Sequence, residues 1–247
     1  MHDIVFYGEA AVTAFLAGFI DSVAGGGGTI QIPALLLLGV PPIMALGTNK
    51  MVAFCGTAAA TWRYSRSVAM PWKSILLAVP IGLMFSFFGA KTILLFDPLA
   101  VKRIIVFALP VAFILMLVLS HRRITPHTEG EFRRIPYFIC TAIFTFYDGY
   151  FGPGTGTFLT TTYNKLAKMS FVLASASAKP INLTGNIGAL VAFVIAGEYR
   201  LDLAFPMIAF NILGAYVGST SAIRLGEVYV KRMLILTFGL LIVANYW

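Results

Sequence analysis

A carboxylate and a run of glycines break into apolar sequence at Asp21-Ser22-Val23-Ala24-Gly25-Gly26-Gly27-Gly28-Thr29. Consecutive glycines cannot hold a stable helical turn, and within lipid they would leave backbone N–H and C=O groups without partners. Such backbone is tolerated at membrane depth only where protein or a water-filled cavity surrounds it. The interruption recurs as Asp148-Gly149-Tyr150-Phe151-Gly152-Pro153-Gly154-Thr155-Gly156-Thr157. In each copy an acid stands four residues ahead of a glycine, Asp21 before Gly25 and Asp148 before Gly152. A lysine follows about thirty residues later inside a second apolar segment, Lys50 in one copy and Lys179 in the other.

The surroundings of these breaks decide the class of protein. The 247 residues are 59% hydrophobic and 11% charged, with mean hydropathy +0.86, whereas a soluble domain is charged at about a quarter of its positions. Charge collects in short clusters (Arg63 to Lys73, Lys91 to Arg103, Arg122 to Arg134, Arg224 to Arg232) between apolar runs. That pattern predicts an all-α integral membrane protein in one polytopic domain, residues 1–247. The net charge of +8 is read as topogenic positive charge in loops. No basic stripe interleaved with aromatics suggests nucleic acid. Cys55 and Cys140 lie in apolar segments and give no disulfide framework, while His2, His121 and His127 form no metal spacing. The first apolar run lacks a basic lead and a cleavage site, so it is read as a retained span. No nucleophile with a paired base is present. The chain is therefore not expected to be an enzyme or to carry a cofactor or metal.

Along the chain, apolar segments are expected at about Phe6 to Val23, Thr29 to Leu38, Ala45 to Tyr64, Ser74 to Phe96 and Ile104 to Ser120. After a polar linker, the order repeats as Ile135 to Tyr147, Thr157 to Leu166, Ala174 to Ile195, Leu203 to Leu225 and Tyr229 to Trp247. The short second segment of each set covers only half of a hydrocarbon core of about 30 Å. Polar and small positions repeat as well: Gly89 and Gly218 each stand 39 residues after their lysine, and Lys102 and Lys231 a further 13 on. This predicts two five-segment inverted repeats, 1–120 and 135–247 with the linker 121–134, containing about eight full spans and two short broken or re-entrant helices. An odd number of segments per repeat inverts the second copy. With the N-terminus outside, twelve basic residues fall in inner loops (Arg63, Arg66, Lys73, Arg122, Arg123, Arg133, Arg134, Lys165, Lys168, Arg224, Lys231, Arg232) and four in outer loops (Lys91, Lys102, Arg103, Arg200). The positive-inside rule then places both termini outside the cytoplasm. Aromatics at segment ends, such as Trp62, Trp72, Tyr199, Tyr229, Tyr246 and Trp247, are read as interfacial anchors.

The candidate site lies where the two breaks would meet. Short helices starting at Gly28-Thr29 and Gly156-Thr157 would aim N–H groups and positive dipole ends at a cavity, which suits an anion. The expected anion-binding set is Lys50, Lys179, Asn49, Thr48, Gly27, Gly28, Thr29, Gly154, Thr155, Gly156, Thr157, Asn182 and Asn186, with Ser175, Ser177 and Thr184 close in sequence. An ammonium in mid-span costs on the order of 3 kcal/mol on insertion scales, so each lysine needs a partner or a cavity. One reading has the two lysines coordinate an oxyanion; the other pairs each with the acid of its own half, Asp21 or Asp148, or lets it snorkel to the interface. Asp21 and Asp148 are in turn read either as coupling-proton sites or as structural caps at the glycine breaks.

Several stretches also carry a family resemblance. Gly18-Phe-Ile-Asp-Ser-Val-Ala-Gly-Gly-Gly-Gly28, Ile32-Pro-Ala-Leu35, Ala45-Leu-Gly-Thr-Asn-Lys50, Phe146-Tyr-Asp-Gly-Tyr-Phe-Gly-Pro-Gly-Thr-Gly156 and Ala176-Ser-Ala-Lys-Pro-Ile-Asn-Leu-Thr-Gly-Asn-Ile-Gly188 resemble the TauE/SafE family of bacterial sulfite exporters, also called TSUP permeases. The likeness covers nearly the whole chain, in order and in both halves. It implies a multi-pass transporter of the bacterial inner membrane for sulfur oxyanions or organosulfonates, sulfite-like in chemistry and driven by an ion gradient. The residues alone lead to an anion carrier and not to sulfur. The rival readings are a passive anion channel and a non-transporting membrane scaffold. The expected partners are a small anionic substrate and the lipid bilayer, with a homodimer left open.

Overall fold

The computed structural model describes residues 2–121, 132–169 and 171–245, and these contain helices and no strand. The linker residues Arg122, Arg123 and His127, the terminal Tyr246 and Trp247, and the side chains of Lys231 and Arg232 lie outside what is described. The helices are α1 (His2–Ala24), α2 (Gly28–Leu37), α3 (Pro42–Ser65), α4 (Trp72–Ile93), α5 (Pro98–His121), α6 (Arg134–Tyr150), α7 (Thr155–Lys165), α8 (Phe171–Ala196) and α9 (Leu201–Asn245). Over the described residues, every apolar segment expected from hydropathy is helical. The one difference in count is α9, which carries the last two expected segments and is broken by Gly226 at φ 71°, ψ −164°.

Local chemistry sets the boundaries. α1 stops where Gly25 takes φ 82°, and α6 gives way to Gly152 at φ 102°, a region that side chains with a Cβ rarely enter. α3 starts on Pro42 and α4 follows Pro71, where the missing N–H of proline is not needed by the helix. α2 has 10 residues and α7 has 11, so neither can cross a bilayer at 1.5 Å per residue.

Four helical stretches among the described residues are long and apolar enough to span a membrane: Phe6–Ala24, Trp72–Ile93, Leu173–Ala196 and Leu201–Gly226. This is fewer than the eight expected. α3 has 24 residues, enough to cross, but its buried positions include Thr48, Asn49, Lys50 and Thr57. Those side chains face protein rather than lipid, so its polarity reflects the interior it lines. Polar groups are inside (Lys50, Asp148, Lys179, Asn182, Asn186) and large apolar ones outside (Leu37, Leu77, Phe107, Ile135, Phe205). Charged and amide groups buried beside an apolar core, under an outer face of large apolar side chains, are what a lipid solvent selects, and the chain is a multi-pass membrane protein.

The packing crosses the linker. α1 lies against α9, α6 against α4, α3 against α8 and α9, and α8 against α4. Lipid supplies little hydrophobic drive between helices, so close backbone approach must hold them. A Cβ on Gly89 of α4 would collide with the Phe146 carbonyl of α6, and one on Gly218 of α9 with the Phe19 carbonyl of α1. Gly149 meets the Ser86 carbonyl, Gly188 that of Leu83 and Gly214 that of Phe15 in the same manner.

Candidate functional site

The two glycine breaks meet at backbone distance. A Cβ on Gly25 would overlap the backbone of Gly156, and one on Gly156 that of Gly25. The Thr157 hydroxyl, at the start of α7, donates to the carbonyl of Ala24, the last residue of α1. Between the breaks lies a cavity of about 20 Å³ lined by Asp21, Gly25, Gly27, Gly28, Asn49, Lys50, Ala53, Asp148, Gly152, Gly154, Gly156, Asn182 and Asn186. That is space for about one water molecule. A space that small does not admit a ligand of several heavy atoms without rearrangement.

Lys50 is 2% exposed, and its ammonium stands 2.9 Å from Asp148 Oδ1. It also donates to Asn186 Oδ1 at 3.3 Å. Asn186 donates in turn through Nδ2 to Thr57 Oγ1 at 3.2 Å, and Thr57 donates to Asp21 Oδ2 at 3.3 Å. Lys179, 1% exposed, donates to the backbone carbonyl of Asp21 at 2.5 Å. The result is one buried polar chain running Asp148, Lys50, Asn186, Thr57, Asp21, Lys179. It joins α6, α3, α8 and α1 across both sides of the linker.

Of the two readings of the lysines, the one that pairs each with the acid of its own half is not what this geometry shows: Lys50 reaches the Asp148 carboxylate and Lys179 the Asp21 backbone carbonyl, each across the linker. Nor are the two lysines alike. Lys50 lines the cavity and binds a carboxylate, whereas Lys179 is absent from the lining and holds a carbonyl in the last turn of α1. A cation there complements the negative end of a helix. Lys179 is accordingly a staple on the end of α1 in this conformation.

Of the other expected residues, Asn49, Gly27, Gly28, Gly154, Gly156, Asn182 and Asn186 do line the cavity, and Asn49 Oδ1 has no hydrogen-bond partner among the described residues. The threonines do not. Thr29 donates to the Gly26 carbonyl at 2.5 Å and Thr155 to the Gly152 carbonyl at 2.7 Å, so their hydroxyls fasten the breaks themselves. Thr48 donates to Met44 O and accepts from the Arg200 amide at 3.0 Å, on a different face of α3 from Lys50. Thr184 donates to the Ile181 carbonyl, and Ser175 and Ser177 are buried away from the lining. The first amides of α2 are partly engaged too, Thr29 N with Gly26 O and Ile30 N with Gly27 O, so they are not all aimed at the cavity. Neither acid is a regular N-cap: Gly27 and Gly154 occupy those positions without a side-chain cap bond. The nearest approach to a cap is the Gly27 amide on Asp21 Oδ1, at 3.4 Å.

The expected set left out Thr57, Ala53, Gly25 and Gly152. Thr57 could have been found, because it follows Lys50 by seven residues as Asn186 follows Lys179, two turns along one helix face. These two matched residues bond to each other across the centre.

Comparison with known proteins agrees with this architecture. The sequence model of the family described as "Sulfite exporter TauE/SafE" matches residues 10–245. A "Probable membrane transporter protein ORF9" of Sinorhizobium sp is 35% identical over 96% of this chain and 91% of its own length. A "Probable membrane transporter protein" of Haemophilus influenzae is 32% identical over 90% of this chain and 87% of its own. "Probable membrane transporter protein YfcA" of Escherichia coli K12 is 32% identical over 90% and 83%. No solved structure matches the chain. With the family model spanning all but the ends and relatives above 30% identity aligned nearly end to end, the chain belongs to the TauE/SafE family of membrane transporters.

Proposed function

We propose that this chain is a secondary transporter of sulfur-containing oxyanions or organosulfonates, working by alternating access around an anion site between the glycine breaks. The observation that carries the reading is Lys50: a buried ammonium lining a small polar cavity, held by a carboxylate that an incoming anion could replace. Around it stand the Asn49, Asn182 and Asn186 amides, suited to several oxygens of one small oxyanion. The sulfur chemistry rests on the family description. Because the cavity holds about one water, binding requires Lys50 and Asp148 to part and the breaks to separate.

Alternating access in the inner membrane is supported by the crossed packing. Matched positions make matched contacts, Gly89 on Phe146 and Gly218 on Phe19, as two inverted copies related by an axis in the membrane plane would. One copy rocking against the other would open the centre to either side. The breaks supply the bending points.

Stabilisation of the purified protein by sulfite, sulfoacetate or methanesulfonate in a thermal-shift screen, lost in Lys50→Ala, supports this reading. Uptake of the same anion into proteoliposomes against its gradient separates a transporter from a passive channel. Absence of stabilisation by every anion in the screen would sink the proposal and favour a scaffold.

A further inference from the structure

The two acids of the polar chain are placed differently. Asp21 is half-buried and both its oxygens have donors, Gly27 N and Thr57 Oγ1. Asp148 is 2% exposed; its Oδ1 takes the Lys50 ion pair, while its Oδ2 makes no hydrogen bond among the described residues and lies against Gly185, whose Cβ it would crowd at 2.5 Å. A buried carboxylate oxygen without a donor is where a proton is most readily accepted when the cation on the other oxygen is withdrawn. The charged groups acting on this carboxyl are Lys50 of α3 and Asp21 of α1. Of the helices packed on α6, α8 turns Lys179 to the Asp21 carbonyl and presents neutral Gly185, α4 presents Ser86 and Gly89, and α7 presents the Thr155 hydroxyl, which interacts with the carboxyl while donating to the Gly152 carbonyl at 2.7 Å. On α6 itself, Tyr147 spends its hydroxyl on the Pro153 carbonyl at 2.7 Å.

Resting on the anion-transport reading above, we propose that Asp148 and the substrate exchange places on Lys50, so that each anion bound is accompanied by one proton taken up on Asp148. In the conformation described, the site holds a carboxylate and an ammonium and is neutral. When it opens, a proton from the aqueous side converts the Asp148 carboxylate to the acid, the ion pair breaks, and the ammonium is left for the anion. The loaded site then holds a neutral acid, an ammonium and a monovalent anion, and is again neutral. Both states that cross between conformations therefore carry no net charge, which the low dielectric of the site favours. Anion and proton move in the same direction, whichever way their gradients run.

The test is a proton count. The purified protein is titrated with methanesulfonate, ethanesulfonate and isethionate, which stay singly ionised near and above neutral pH, in buffers of different ionisation enthalpy. The result expected is uptake of about one proton per anion and an affinity that falls about tenfold per pH unit on the alkaline side, as linkage requires. Asp148→Asn, which has no carboxylate to protonate, is expected to change the affinity, and the binding it shows carries no proton uptake and no pH slope. Binding by the wild type with no proton taken up overturns the inference and leaves the transport reading standing. Uptake that persists in Asp148→Asn overturns it also, because another group then carries the proton. If none of the three anions binds at any pH, the transport reading fails and this one with it. The wild-type count needs no variant, so it stands even where Asp148→Asn does not fold.

Discussion

Lys50 stays inside the molecule because Asp148 and Asn186 replace the water it has lost, and the exchange is tight enough that neither partner can be removed alone. Breaking a buried ion pair by deleting one member leaves the other as an uncompensated charge, at about 3–5 kcal/mol. Lys50→Met should therefore lower the unfolding midpoint in detergent sharply, and Lys50→Met with Asp148→Asn should recover most of the loss. A double variant no more stable than the single one would mean the pair is not the main partner of either residue. Lys179→Met is expected to differ: its partner is a carbonyl already shared with the Gly25 amide, so the loss is smaller, and Asp148→Asn will not rescue it. The sequence showed which residues had to be paired, because a lysine in an apolar segment has few options. It did not show with whom. Own-half pairing looked natural from spacing, yet the crossed pairing follows from how the halves dock, a tertiary fact that no local periodicity encodes.

Helices here are held by contact through glycine, and that makes the element scale testable by adding carbon. Gly89 and Gly218 each sit on a carbonyl of a helix from beyond the linker. Filling such a space without room to relax costs about 1–3 kcal/mol. Gly89→Val and Gly218→Val should each lower the unfolding midpoint, while Gly8→Ala, with nothing within 4 Å of the added carbon, should not. Equal tolerance of all three would mean α4 and α9 are not seated on α6 and α1 in this way. Hydropathy located the helix ends to within a few residues, because Gly and Pro punctuate them at Gly25, Pro42, Pro71 and Gly152. It divided α9 correctly at the place where Gly226 leaves helical geometry. It misjudged the threonines: Thr29, Thr155 and Thr157 looked like ligands in sequence, but a break in a helix frees carbonyls that nearby hydroxyls satisfy first.

At the scale of the whole molecule, the side of the membrane each loop faces was inferred from charge alone, and the contacts between loops bear on it independently. Arg63, assigned inside, donates from Nε to Thr220 near the end of α9's first part, at 3.1 Å. That stretch leads to Arg224, also assigned inside. The Arg133 amide of the linker bonds the Ala167 carbonyl at 2.8 Å, so the linker and the α7–α8 turn share a side, as their arginines and lysines require. At the opposite end of α3, Thr48 bonds the Arg200 amide, and Arg200 was one of the four outer cations. In these three places, segments that the positive-inside rule assigns to one side touch one another. Single cysteines placed on a background of Cys55→Ala and Cys140→Ala should report the sides in intact cells. Leu95→Cys in the α4–α5 turn and Ala196→Cys at the end of α8, both at exposed positions, should react with a membrane-impermeant maleimide from outside. Ser67→Cys, exposed in the α3–α4 turn, should react only after the membrane is opened. Labelling of Ser67→Cys in sealed cells, with protection of the other two, would turn the molecule over. It would leave every internal contact intact, because turning the whole molecule over changes no contact within it and only the distribution of positive charge chooses between the two orientations.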